Sequence, residues 1–226
     1  NVLTSEATHI YQKTNDSFEF SFKPELLTPA GTKLNLENTP TAIDRNGIYG
    51  EYLLNEGSGT VIYDSSGHNA NATAHNITWA GGVVAPLVLF GGVSSYVDCG
   101  TSFTWLNGCN EMSIDVWISP TDLDSVFYSY ILHKEHQVQL MYTGNGAIEW
   151  GISIGGVFQW CNSADGVIVK SGRYHIQAVY DGFSMNLYVN NDIVKTKIQA
   201  GYIDTPVGSS YLHIGKMYGY MADLFI

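Results

Sequence analysis

Positive charge is scarce in this chain: ten Lys and Arg stand against 21 Asp and Glu among 226 residues, a net charge of −11 with the seven histidines neutral. Phosphate binding needs clustered Lys and Arg, and no run of these ten forms a stripe. That argues against a nucleic-acid partner and against electrostatic docking on anionic lipid. Long apolar runs are also missing; none approaches the ~20 residues a membrane helix needs, so no membrane insertion is expected. Sustained helical periodicity is absent, which removes helix bundles and crossover folds. Cysteine is limited to Cys99, Cys109 and Cys161, enough for one disulfide with one thiol left over and without the spacing of a zinc site. There is no nucleophile elbow of Gly-x-Ser-x-Gly type and no Walker phosphate loop.

What remains is apolar, aromatic and glycine-rich. Apolar residues make up 45% and charged residues only 14%, so the chain can bury a core. Fifteen tyrosines, 24 glycines and few lysines suit an extracellular, cell-surface or virion-surface β-protein. Three glycosylation sequons, at Asn15, Asn71 and Asn76, are compatible with that placement. The start at Asn1 rather than Met reads as a processed chain or a piece of a longer one.

The texture changes near residues 37 to 47. Before it, Phe18, Phe20 and Phe22 alternate with polar residues, the period-two pattern of a half-buried strand, ended by Pro24 and Pro29. Residues 1 to 44 are therefore read as an N-terminal extension with one strand, and residues 45 to 226 as the main domain. From Ile48 onward, short β-rich runs alternate with turn residues, among them Ala72 to Thr78, Met112 to Ser119, Tyr128 to Lys134, Val138 to Tyr142, Ala147 to Ile154 and Val157 to Cys161. Asp181-Gly182 and Asn190-Asn191 mark two-residue hairpin loops, so Tyr174 to Thr196 reads as three consecutive antiparallel strands. The expected fold is all-β: an antiparallel two-sheet jelly-roll sandwich with an extended N-terminal β segment.

Six blocks then point to a family. Gly50-Glu51-Tyr52-Leu53-Leu54-Asn55-Glu56-Gly57-Ser58-Gly59, Tyr63-Asp64-Ser65-Ser66-Gly67-His68-Asn69, Gly91 to Asp98, Ser113-Ile114-Asp115-Val116-Trp117-Ile118-Ser119-Pro120, Tyr174 to Gly182 with Leu187 to Asn190, and Gly219 to Leu224 occur in order. In this the chain resembles the laminin-G-like domains of the concanavalin A-like jelly-roll superfamily over about residues 47 to 226. The resemblance implies a structural calcium ion at the sandwich rim, with Glu56, Asp64 and Asp223 as ligands and Asp98 as a weaker fourth. Ala222 and Asn55 stand where the family often has Asp. The alternative role for Asp64 is to cap its own turn through an Asx hydrogen bond.

Sugars bind on exposed aromatic rings flanked by amide and carboxylate groups. Trp105 beside Asn107, and Trp160 beside Asn162 and Asp165, are the candidate pairs; the alternative for each tryptophan is a plug in the end of the core. Cys99 and Cys109, ten residues apart, would clip the Trp105 loop in an oxidising compartment. A glycosidase would need paired carboxylates facing one cleft. Glu111 and Asp115 share a strand face, but Ser113 lies between them and Trp117 follows, so the acidic ladder is missing and no enzyme is expected. His133 and His136 read as solvated turn residues. The expected function is a non-catalytic adhesion or carbohydrate-recognition module whose partner is a glycan or surface protein. Two alternatives remain: a subunit of a filament, fibre or capsid that touches neighbouring subunits through residues 1 to 44, and a glycoside hydrolase.

Overall fold

The computed structural model describes residues 11–14, 17–20, 47–80, 87–92, 94–101, 103–123, 129–206, 208 and 210–226, with backbone alone for 11–14, 17–20, 218–220, 222, 223 and 225. The chain divides into two compact units, Asn1–Gly47 and Ile48–Ile226. In the first, β1 (Tyr11–Thr14) pairs antiparallel with β2 (Ser17–Phe20). Phe22 and the sequon at Asn15 lie outside the described residues.

The second unit is a two-sheet antiparallel sandwich. Its strands are β3 (Glu51–Tyr52), β4 (Val61–Ile62), β5 (Ala72–His75), β6 (Thr78–Ala80), β7 (Leu87–Gly91), β8 (Tyr96–Asp98), β9 (Met112–Pro120), β10 (Ser129–Lys134) and β11 (Val138–Tyr142), followed by β12 (Ile148–Ile154), β13 (Val157–Asn162), β14 (Tyr174–Tyr180), β15 (Ser184–Val189), β16 (Asp192–Ile198), β17 (Leu212–Gly215) and β18 (Tyr218–Phe225). The first sheet runs β13-β12-β11-β10-β17-β8-β5-β4, and the second runs β16-β15-β14-β9-β18-β7-β6 with β3 added beside β18. Alternation places every second residue in the shared core. From the first sheet, Ile62, Val97, Ile214, Leu132, Leu140, Trp150 and Cys161 point inward; from the second, Ile114, Val116, Ile118, Ile176, Ala178, Leu187 and Met221 meet them. Ile226 ties the end of the chain to the start of the unit: its carbonyl accepts from the Tyr49 and Gly50 N–H groups, and its own N–H donates to the Gly50 carbonyl.

Two turns differ from their sequence reading. The expected strand Ala72 to Thr78 breaks at Asn76, whose φ of +50° turns the chain, so β5 and β6 belong to different sheets. Asn190-Asn191 does form the two-residue turn, with both φ positive. The loop at Asp181-Gly182 takes in Phe183 as well, because the Asp181 carboxylate accepts from the N–H groups of Phe183 and Ser184 and from the Ser184 hydroxyl.

The β12–β13 hairpin turns on Gly155 and Gly156, both left-handed. Asp204, from the segment after β16, clamps it, accepting from Ser153 Oγ (2.7 Å), Gly155 N (2.9 Å) and Gly156 N (2.8 Å). Burial alone would raise the Asp204 carboxyl, but these donors outweigh it and hold it below the usual range. Its contribution to stability is thus present at neutral pH and lost as pH falls through that lowered value. Asp204→Ala should cost roughly 1–2 kcal/mol in denaturant melts at pH 7, and the mutant and parent curves should converge in acid.

Candidate functional site

The outward residues of the first sheet form a continuous row across its strands. Register pairs Val61 with Thr73, Thr73 with Asp98, Asp98 with His213, His213 with His133, His133 with Gln139, Gln139 with Gly151 and Gly151 with Trp160. A bulge between Tyr130 and Leu132 sets this row, since one extra residue reverses which side of β10 points outward. Both Tyr130 and His133 then face out, with their rings 4.8 Å apart. His133 is therefore not the solvated turn residue its sequence context suggested; only His136 occupies the turn.

At one end, Trp160 lies over Gly151. A Cβ built on Gly151 would stand 2.7 Å from the indole Cε3 and 2.8 Å from Cζ3, so only glycine lets the ring lie on the neighbouring strand. The ring stacks beside Phe158 at 5.4 Å, and Trp160 is half-buried. Asn162 follows on the same face, exposed and paired in register with Glu149. Burial, and then the negative charge of Asp165, push the Glu149 carboxyl up. Trp160 and Asn162 thus share one end of the face, with Asp165 near enough to Glu149 for its charge to act there.

Farther along, Tyr96 stacks on His75 at 4.6 Å and meets the edge of His213 at 5.1 Å, while Lys216 Nζ sits 5.0 Å from the Tyr96 ring centre. Burial, then the charges of Lys216 and His213, bring His133 down to about 4. Burial and Lys216 also hold His213 below its ordinary value, against the opposing pull of Asp98. Both imidazoles are neutral at pH 7, each with one donor and one acceptor nitrogen. Among the described residues, the ring nitrogens of His75 and His133, the Gln139 amide and the Trp160 indole N–H make no hydrogen bond within the protein, and His213 has only a 3.9 Å approach to Asp98.

The outer face of the second sheet is different. His175 Nε2 lies 2.7 Å from Asp115 Oδ1, and Gln177 donates to Oδ2 at 2.8 Å. Trp117 is covered by His175 at 4.8 Å and by Arg173 at 4.6 Å. These groups satisfy one another, and both Asp115 oxygens are engaged within the sheet.

The Trp105 pair is likewise occupied. Trp105 stacks on Tyr49 at 4.5 Å, which stacks on His68 at 5.0 Å, with Phe103 at the edge of Trp105. Asn107 Oδ1 accepts from the buried Gln137 Nε2 at 2.7 Å. The expected Cys99–Cys109 bridge is not formed. Cys99 is buried beside Tyr52, where desolvation drives its thiol well up, whereas Cys109 directs its sulfur to the Glu111 carbonyl.

Of the implied calcium ligands, Asp64, Glu56 and Asp98 are described, and each accepts hydrogen bonds from the backbone. Asp64 Oδ1 accepts from the Glu51 and Ser66 N–H groups, and Oδ2 from Ser66 Oγ and the Ala70 N–H. Burial would raise this carboxyl, but the Ser66, Ala70 and Glu51 hydrogen bonds keep it low. Four donors use the lone-pair sites of a carboxylate, so Asp64 caps its turn. Glu56 Oε1 accepts from Tyr63 N, leaving only Oε2 buried and unpartnered, and Asp98 Oδ1 accepts from Gly100 N. The side chain of Asp223 lies outside the described residues. Calcium takes six to eight oxygens, and among the described residues no group of three or more acidic, His or Cys side chains could hold a metal. Of the two described sequons, Asn71 is exposed with its Oδ1 accepting from Asp64 N, and Asn76 donates Nδ2 to the Ser94 carbonyl.

Histidine NMR should place His133 near pH 4 and His213 below the ordinary value. Because His133 is depressed relative to the unfolded chain, stability should decline as pH falls from about 6.5 toward 4, by at most ~1.4 kcal/mol per pH unit for one proton. His133→Gln should flatten that part of the stability profile.

No helix among the described residues is long and apolar enough to cross a membrane. No curated protein matches the sequence significantly. The fold is similar to domain 4 of AbnA, a GH43 extracellular arabinanase from Geobacillus stearothermophilus solved with arabinotriose: TM-score 0.57 and 15% identity, covering 79% of this chain and 90% of that one. It is also similar to the receptor-binding domain of botulinum neurotoxin C/D mosaic serotype (TM-score 0.61, 12% identity) and to the binding domain of botulinum neurotoxin DC in complex with SialylT (0.63, 11%). Each of these two matches covers 80% of this chain but only 48% of the neurotoxin domain. Such identities speak to the fold alone. A laminin G family model, described as the concanavalin A-like lectin/glucanases superfamily, matches residues 90–225. That span is more than half of the chain, and the protein belongs to this superfamily.

Proposed function

We propose that this protein is a non-catalytic carbohydrate-recognition module, displayed on a cell or virion surface, that binds glycan on the outer face of its first sheet. One observation carries the reading: a row of neutral imidazole, amide and indole groups is open on that face, with its hydrogen-bonding atoms unspent by the protein. A solvated sheet face ordinarily carries charged and short polar side chains. Sugars need the opposite, a flat ring to stack on and uncharged groups that both donate and accept. Trp160 offers the ring, while Gln139, His133 and His213 offer the groups. Of the structural neighbours, the arabinanase domain was solved with arabinotriose and one neurotoxin domain with SialylT, which supports a sugar as the ligand class. Asp115, on which a hydrolase reading would turn, is spent on His175 and Gln177.

A glycan array on the whole chain tests the reading. Trp160→Ala should weaken every hit about tenfold or more, equivalent to ~1.4 kcal/mol, with the thermal midpoint little changed. Asp115→Asn should leave binding intact. Binding that survives Trp160→Ala unchanged would remove this face from the proposal, and glycan hydrolysis by the parent would overturn the non-catalytic assignment.

A further inference from the structure

Lys216 is out of place by the ordinary logic of an acidic protein. Acidic residues outnumber basic ones by 21 to 10, yet among the described residues Lys216 makes no ion pair. Its backbone is left-handed, with φ of +66°, directly after Gly215 at +89°. That conformation is strained for a non-glycine residue. The strain is held by the Lys216 N–H, which donates to the Ser95 carbonyl at 2.9 Å. Its side chain lies over the Tyr96 ring, with His213 and His133 close enough that its charge opposes their protonation. The nearest acid of the row, Asp98, stands 3.9 Å from His213 and already accepts from Gly100 N.

Lys216 thus sets an ammonium without an ion-pair partner among the described residues beside two neutral imidazoles, with Asp98 and Glu135 as the opposing charges around the cluster. We infer that Lys216, His213 and His133 form an anion subsite that takes the carboxylate or sulfate of an acidic sugar residue. This rests on the carbohydrate reading above and specifies its ligand. Trp160 on β13 and His213 on β17 are four strand spacings apart, ~19 Å. The ligand is therefore an oligosaccharide that stacks a neutral residue on Trp160 and places its acidic residue at Lys216. Linkage requires the reverse effect too: a bound anion makes protonation of His213 and His133 easier, so binding takes up protons. Other groups facing the cluster are His75 from β5, Asp98 from β8, and Glu135 and His136 from the turn after β10.

The test uses immobilised oligosaccharides in three matched forms, neutral, uronate- or sialate-bearing, and sulfated, with the parent chain, Trp160→Ala, Lys216→Met and Lys216→Arg. The parent should prefer an acidic form at least tenfold, more so at pH 5.5 than at 7.5. Lys216→Met should abolish that preference while retaining neutral binding, and Lys216→Arg should restore most of it. Comparison of the uronate or sialate arm with the sulfate arm identifies which anion is taken. Equal affinity for neutral and acidic forms, or a preference untouched by Lys216→Met, would overturn the subsite while leaving the Trp160 face standing. Failure of all three forms to bind would overturn both.

Discussion

The register of the first sheet is the constraint on which the rest depends. Side chains on a strand alternate faces, so a slip of one residue exchanges core for surface along the whole strand. Burying Trp150, Leu140, Leu132, Ile214 and Val97 in one layer leaves Gly151, Gln139, His133, His213 and Asp98 no choice but to line up on the other side. The core, which is energetically strong, thereby holds a row of weakly interacting groups in fixed order. The face needs no stabilising contacts of its own, and its polar atoms are left open.

The protein's negative charge is distributed in a way that bears on its chemistry. Asp64, Asp181 and Asp204 each gather backbone N–H groups and a serine hydroxyl, and each is held below the usual carboxylate range by those bonds once the opposing effect of burial is set against them. These carboxylates tie loops to strands and have little left for a metal. Asp115 is occupied in a different way, by two side chains from β14. Against that background, the imidazoles and Lys216 of the first sheet stand out because they have not been used.

The two sheets also show how similar residue types reach opposite ends. Each outer face carries a tryptophan, histidine and a carboxylate. On the second sheet, His175 is directly across from Trp117 and one register step from Asp115, so stacking and hydrogen bonding close the set on itself. On the first sheet, Trp160 is separated from His133 by β12 and β11, too far for the groups to satisfy each other. Spacing across strands, rather than composition, makes one face open and the other closed.

Local pattern was sufficient for much of the fold. The β-rich run Val138 to Tyr142 is β11, the run from Tyr174 divides into three strands at its turn residues, and the Asn190-Asn191 turn followed from the conformational tolerance of asparagine. The clustering of Trp160 with Asn162 was also legible, because residues two apart on a strand share a face. What the chain could not disclose by itself was any relation between strands distant in sequence. His75, Tyr96, His133 and His213 are isolated residues until β5, β8, β10 and β17 are paired, and a single bulge decides that His133 points outward. Trp105 and Asn107 looked available for the same reason, since their partners Tyr49 and Gln137 come from far along the chain. The sequence by itself determined strand faces and turns, where the controlling interactions are local; tertiary structure alone decided which polar groups were satisfied, because that depends on neighbours supplied by long-range pairing.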